Sequence, residues 1–187
     1  MSTPNYSDIV ALVDVLASKR DPYNHHAPRV AVLAVQMARL LDLPAHELAM
    51  VEVGAQLHDI GKLVQKSDLI NQPRKLTPAE MDTVRLHPRQ GWEIVNALNY
   101  DQLVQDIVLH HHENWDGTGY PDKLRGEGIS LHARLVHVAD VYDAMSAPRP
   151  YRKALPYGNV RAQMELQAGS MFDTRLIDLF FRRVVRE

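Results

Sequence analysis

Apolar positions recur along this chain at helical spacing and almost nowhere alternate as in a half-buried strand. The spacing predicts an amphipathic helix over Ile9 to Leu16. It predicts a second over Pro28 to Leu41, with Val30, Leu33, Ala34, Met37 and Leu41 on one stripe. A third, Ala45 to Leu57, runs straight into His58 and Asp59. Gly54 inside it costs helix stability, which points to close packing against a neighbouring backbone. Thr77-Pro78-Ala79-Glu80 reads as a helix start: Thr77 caps, Pro78 suits the first helical position and Glu80 closes a capping box. His87-Pro88 breaks that helix, and a short one follows to Leu98. Asp101 to His112 comes next, with Leu103, Ile107 and Val108 on its buried side. A turn-rich segment from Asn114 to Gly128 leads to Ser130, a cap for a helix reaching about Met145. Two more helices are expected near Val160 to Ala168 and Thr174 to Val185. Internal repeats and linkers are missing, so the pattern predicts one all-α domain over residues 1–187.

At 187 residues the chain is long enough for a sizeable core, and its 45% hydrophobic and 24% charged residues are ordinary for a globular protein. A formal net charge of -2 gives no global field toward nucleic acid or an anionic membrane, so neither is expected as a partner. Any phosphate must then be held by local charge. The absence of cysteine removes disulfides, thiolate zinc sites and thiol nucleophiles, and suits a reducing compartment. The longest apolar segment, Val30 to Leu41, is interrupted by Gln36 and Arg39 and falls short of a membrane span. Met1 to Asp8 is polar without a basic segment, so a signal peptide is not expected and a cytoplasmic location is.

Histidine changes the picture, with ten in the chain. His58-Asp59-Ile60-Gly61-Lys62 ends one apolar helix, and His111-His112 ends another. Together they offer neutral imidazoles, a carboxylate able to bridge two ions and a cation for a charged substrate, which is what a two-metal hydrolase needs. His111 and His112 lie four residues after Ile107 and Val108, so both extend a buried face, where an unpartnered imidazole is costly. His87 sits at a proline break. Asp140 lies in the apolar run Leu135 to Val141 and needs a cation or donors there. Asp143, three residues on, is either a partner behind the ligands or an exposed acid. His46, His110, His132 and His137 are expected to have surface or structural roles.

These segments resemble the HD-GYP family of the HD phosphohydrolase superfamily, bacterial phosphodiesterases acting on cyclic di-GMP. The family's His-Asp-x-Gly-Lys motif is similar to His58–Lys62, and its His-His-Glu-x-x-Asp-Gly-x-Gly-Tyr-Pro motif to His111–Pro121. His87-Pro88-Arg89-Gln90-Gly91, Ala139-Asp140-Val141-Tyr142-Asp143-Ala144 and Arg149-Pro150-Tyr151-Arg152-Lys153 match three further elements. The resemblance covers about Asp21 to the last helix. It implies an all-α helical bundle of the HD phosphohydrolase type, with a domain core of about residues 21–185. Members often carry a sensor domain in front.

The resemblance also implies metal ligation by His58, Asp59, His87, His111, His112 and Asp140. His87, His111 and His112 would hold one ion, His58 and Asp140 the other, with Asp59 between them. His26 matches an upstream histidine and either completes a shell or stands behind it; its His-x-x-Arg-Val spacing selects it over His25. Members with a third metal have a glutamate where this chain has Pro22, so two divalent ions are expected. Histidine and carboxylate donors without thiolate suit iron or manganese and accept zinc, nickel or cobalt. The implied reaction is hydrolysis of cyclic di-GMP to pGpG, with GMP as a further product, by a hydroxide activated between two metals. Lys62 would stabilise a phosphate oxygen or the leaving group, unless it only pairs with a helix end. Arg149 and Arg152 would contact substrate phosphate, and Tyr120 would stack on guanine or pack on its own loop. The Gly-Tyr-Pro loop is also linked in the family to docking on diguanylate cyclase domains. A module that binds cyclic dinucleotides or docks without turnover is the alternative.

Overall fold

The computed structural model describes residues 26–65, 74–148 and 153–185. The expected helix over Ile9 to Leu16, the segment holding Pro22 and His25, and the Arg149 and Arg152 pair lie outside these residues. Helix α1 spans His26–Leu40, α2 Ala45–Leu57, α3 Pro78–Val84, α4 His87–Ala97, α5 Gln102–His110, α6 Leu131–Ser146, α7 Tyr157–Leu166 and α8 Thr174–Leu179. A 3₁₀ turn, Ile60–Val64, follows α2, and a π-helical turn, Phe180–Val184, continues α8. Among the described residues there is no β-strand, as the periodicity predicts. No helix among them is long and apolar enough to cross a membrane.

The boundaries follow local chemistry. Thr77 and Glu80 form the reciprocal capping box with Pro78 in the first turn, and Ser130 accepts the Ala133 N–H at the start of α6. Asp101 caps α5, which ends at His110 rather than His112. His111 still donates its backbone N–H to Ile107, while His112 falls in the following turn. Along α1 the buried residues are Val30, Ala31, Ala34, Met37 and Ala38. That stripe is rotated slightly from the predicted one, because Leu41 lies past the helix end and is partly exposed.

Two apolar clusters hold the helices together. The larger unites α1, α2, α6, α7 and α8 around Met37, Leu135, Met164 and Phe180. The smaller sits between α2, α4 and α5 around Leu57, Ile60, Val95, Val104 and Val108. Burying a side chain such as Leu57 or Val108 contributes roughly 1.5–3 kcal/mol relative to exposure. Gly54 permits close packing as expected, but its neighbour is a side chain: a Cβ there would lie 2.5 Å from Cδ1 of Ile107 on α5. Asp59, His87, His111 and His112 lie at helix ends beside the smaller cluster, and Asp140 projects toward them from α6.

Candidate metal centre

Each sequence-predicted donor that the described residues include arrives in one place. Asp59, His87, His111 and His112 form one group, and His26, His58 and Asp140 a second; within each group one donor atom per residue lies within 4.8 Å of the others. Asp59 faces both groups. Its Oδ1 is 3.2 Å from His87 Nε2, and its Oδ2 is 3.5 Å from His58 Nε2. Asp140 Oδ1 lies 3.1 Å from His26 Nε2 and 3.9 Å from His58 Nε2.

The chain aims these rings with its own backbone. His58 Nδ1 is 2.7 Å from the Ala55 carbonyl, His87 Nδ1 is 2.8 Å from that of Val84, and His111 Nδ1 is 3.0 Å from that of Val108. A carbonyl only accepts, so each Nδ1 donates, and in the neutral ring each Nε2 is left with its lone pair. In that form His87 Nε2 and His111 Nε2 face each other lone pair to lone pair at 3.2 Å. The buried His58 Nε2 and Asp59 Oδ1 have no hydrogen-bond partner among the described residues. Converging lone pairs and an unpartnered carboxylate oxygen are costly unless a cation lies between them. The donor set thus fits divalent metal on the geometry of this chain alone.

Charge states agree. Burial above all pushes the His58, His111 and His112 imidazoles down, so they are neutral, the ligating form. Burial works against the Asp59 and Asp140 carboxylates, but Lys62 for the first and His26 for the second lead the groups that hold them well below the usual range. His26 differs. Burial opposes its charge, yet Asp140 and Asp143 outweigh burial and push it up to about 10. Its ring carries a proton until a metal competes for Nε2.

The glycines of the two motifs allow the close approach. A Cβ on Gly61 would lie 1.9 Å from the His87 carbonyl oxygen, and one on Gly119 2.2 Å from the Asn114 nitrogen. Gly61 lets the turn after Asp59 sit on the start of α4. Gly119 lets the loop fold back on His112–Asn114, so that the Tyr120 ring lies 4.9 Å from the His112 ring. The loop is pinned elsewhere by Trp115 and Asp116, whose N–H groups reach the Met171 and Ser170 carbonyls, and by Arg134 and Arg175 over the Trp115 ring. Lys62 lies in the last turn of the 3₁₀ segment, and its Nζ is 2.5 Å from Asp59 Oδ2.

Two groups, Glu113 and Arg29, had no assigned role in the motif reading. Glu113 is buried, and its Oε1 accepts the Asp122 N–H, tying the loop to the end of α5. His137 is also buried and donates from Nδ1 to the Glu113 carbonyl, a structural role of the kind expected for it. Arg29 pairs with Asp143, which resolves the open choice for Asp143: it is buried and touches His26. Of the remaining histidines, His132 pairs with Glu47, His110 with Asp122 and His46 with Asp101.

A helical scaffold that gathers histidine and aspartate donors able to hold metal points to the histidine–aspartate class of helical domains. The chain belongs to the HD domain family, whose model matches residues 11–176, and its motifs are of the HD-GYP type. It is 40% identical to the cyclic di-GMP phosphodiesterase response regulator RpfG of Xanthomonas campestris over 82% of this chain and 41% of that protein. It is 33% identical to 3'3'-cGAMP-specific phosphodiesterase 2 of Vibrio cholerae over 82% of this chain and 30% of that protein. The chain thus spans less than half the length of these curated relatives. The fold matches that of Bd1817, a HDG"Y"P protein from Bdellovibrio bacteriovorus, with a TM-score of 0.71, 22% identity, and coverage of 94% of this chain and 56% of that one.

Proposed function

We propose that this chain is a metal-dependent phosphodiesterase that hydrolyses cyclic di-GMP to linear pGpG, with GMP as a further product. The observation that carries the reading is Asp59 standing between two converging donor groups with Lys62 at its Oδ2. Asp59, His87, His111 and His112 would hold one divalent cation, and His26, His58 and Asp140 the other, with Asp59 shared. Mixed imidazole and carboxylate donors without thiolate favour iron or manganese. When bound, such ions supply Lewis acidity to a phosphate and bring the pKa of water toward neutrality.

The chain's own residues do the rest. The Ala55, Val84 and Val108 carbonyls keep three imidazoles in the ligating tautomer. Lys62 can exchange its contact with Asp59 for a non-bridging phosphate oxygen or the leaving ribose oxygen, where charge develops. Water oxygen bonds to phosphorus, the bond from phosphorus to the 3' oxygen breaks, a proton from the water ends on that 3' oxygen, and the ring opens to pGpG. Tyr120, beside His112, offers a face for guanine. Arg149 and Arg152 are assigned to the phosphate by motif.

The whole chain is proposed to be one HD-GYP domain with its core at about residues 21–185, acting in the cytoplasm, in keeping with the lack of cysteine. The exposed side of the Gly-Tyr-Pro loop is proposed, on the family resemblance, as a docking surface for diguanylate cyclase domains. The test is a chromatographic time course with cyclic di-GMP, 3'3'-cGAMP and pGpG, with manganese or anaerobic ferrous iron and a chelated control. Metal-dependent appearance of pGpG from cyclic di-GMP is expected. Preference for 3'3'-cGAMP would reassign the substrate. No product from any of them with folded, metal-loaded protein would overturn the enzyme reading in favour of a docking module.

A further inference from the structure

We infer that Arg29 and Asp143 are positioning residues that aim His26 into the second donor group and set the metal affinity of that group independently of the first. The inference rests on the metal centre proposed above. His58, His87 and His111 are oriented by backbone carbonyls three or four residues back, a device that side-chain substitution leaves in place. At His26 the ring's Nδ1 instead faces a residue far along the chain. A side chain takes that role. Asp143 Oδ2 lies 2.7 Å from His26 Nδ1. An ionised carboxylate only accepts, so His26 donates from Nδ1 and directs Nε2 toward Asp140, 3.1 Å away.

Asp143 is itself held. It is 4% exposed, and Arg29 grips both of its oxygens, with Nε 2.5 Å from Oδ1 and Nη2 2.9 Å from Oδ2. Such a fork fixes the carboxylate in plane as well as in place. Asp140 and Asp143 are three residues apart on α6, so one helix face carries a candidate ligand and the anchor of the ligand opposite it. Arg29 is three residues beyond His26 on α1 and closes the loop from the other side. A carboxylate behind a ligating histidine fixes its tautomer and orientation, and losing it typically lowers metal affinity 10–100-fold. A pair that merely braced α1 against α6 would need only the Arg29 contact. The second oxygen contact, to the His26 ring, is what makes this a positioning device.

The test uses the full chain and Mn²⁺ alone. Equilibrium dialysis with elemental analysis gives two affinities, and electron paramagnetic resonance distinguishes coupled from isolated Mn²⁺. Asp143→Asn, which keeps shape, and Arg29→Gln, which leaves Asp143 in place, should each weaken one site about 10–100-fold and leave the other within about threefold. The coupled signal should give way to an isolated one. Thermal melts of the metal-free proteins provide the contrast: a brace would lower the melting point while leaving the ratio of the two affinities unchanged. Unchanged affinities in both variants, or equal weakening of both sites, would overturn the inference. Wild-type protein that binds no Mn²⁺ would overturn the metal centre and this inference with it, whereas two wild-type sites untouched in both variants would sink this inference alone.

Discussion

His87 and His111 are aimed by carbonyls three or four residues back along the chain, whereas His26 is aimed by a carboxylate 117 positions away. The group around His87 and His111 is therefore pre-set as soon as α3 to α5 form and the Asp59 turn docks on α4. The group around His26 exists only when α1 and α6 are packed through the larger apolar cluster. Donors fixed by backbone tolerate change elsewhere. Donors fixed by side chains inherit every disturbance of the interface that brings those side chains together. Asp59 joins the two regimes, because it reaches toward His87 with one oxygen and His58 with the other.

The largest expected effect comes from removing that joint. Asp59→Ala should reduce turnover to background and lower metal content in both groups, measured by product chromatography and elemental analysis. Loss of metal from one group only would break the comparison, since Asp59 would then serve a single ion. Lys62→Ala should keep both metals and slow turnover by roughly 10²–10³, the scale of lost charge stabilisation. If elemental analysis instead shows metal gone, Lys62 serves the bridge rather than the substrate.

Gly61→Ala sharpens the comparison from the side of the backbone-fixed group. A Cβ 1.9 Å from the His87 carbonyl cannot be accommodated without moving Asp59 away from His87. Denaturant unfolding should show a loss of about 1–3 kcal/mol, typical of overpacking, with weakened metal binding. Wild-type stability and metal content would mean that this approach is softer than its geometry indicates.

The smallest effect is expected at a buried charge outside both groups. Asp173 caps α8 and meets Arg134 Nη1 at 2.7 Å, and it is nearly fully buried. Burial opposes its charge, but Arg175 and Arg134 hold its carboxyl below the ordinary value. A depressed folded-state value means the stabilisation is complete above the unfolded pKa of about 3.9 and lost as pH falls through the lower folded value. Asp173→Asn should therefore cost about 1–2 kcal/mol at pH 7, and denaturant melts of the two proteins should begin to approach each other below about pH 4 and converge only below the lower folded value. A gap that persists in acid would assign the loss to packing.

Much of the centre was legible in sequence because its parts are local. His58-Asp59 after an apolar helix, His87 before a proline, and His111-His112 at the end of another helix are positions where a helix end frees side chains to face one another. The capping box at Thr77 and the cap at Ser130 are equally local, since their donors and acceptors lie within three residues. The end of α5 was less legible, because the apolar face continues through His111 while the helical turn stops at His110.

The sequence by itself determined the helical class, the candidate donor residues and the two motif turns, because periodicity, caps and glycines act over a few residues. Only the tertiary structure decided that Lys62 rests on Asp59 and that Asp143 stands behind His26 rather than in solvent. Those choices depend on how α1 and α6 pack, and a contact spanning 117 residues leaves no local pattern from which to read it. The same holds for Glu113 and His137: a motif spacing marks the first, but only burial and a 2.8 Å bond across 24 residues reveal that together they fasten the loop to the end of α5.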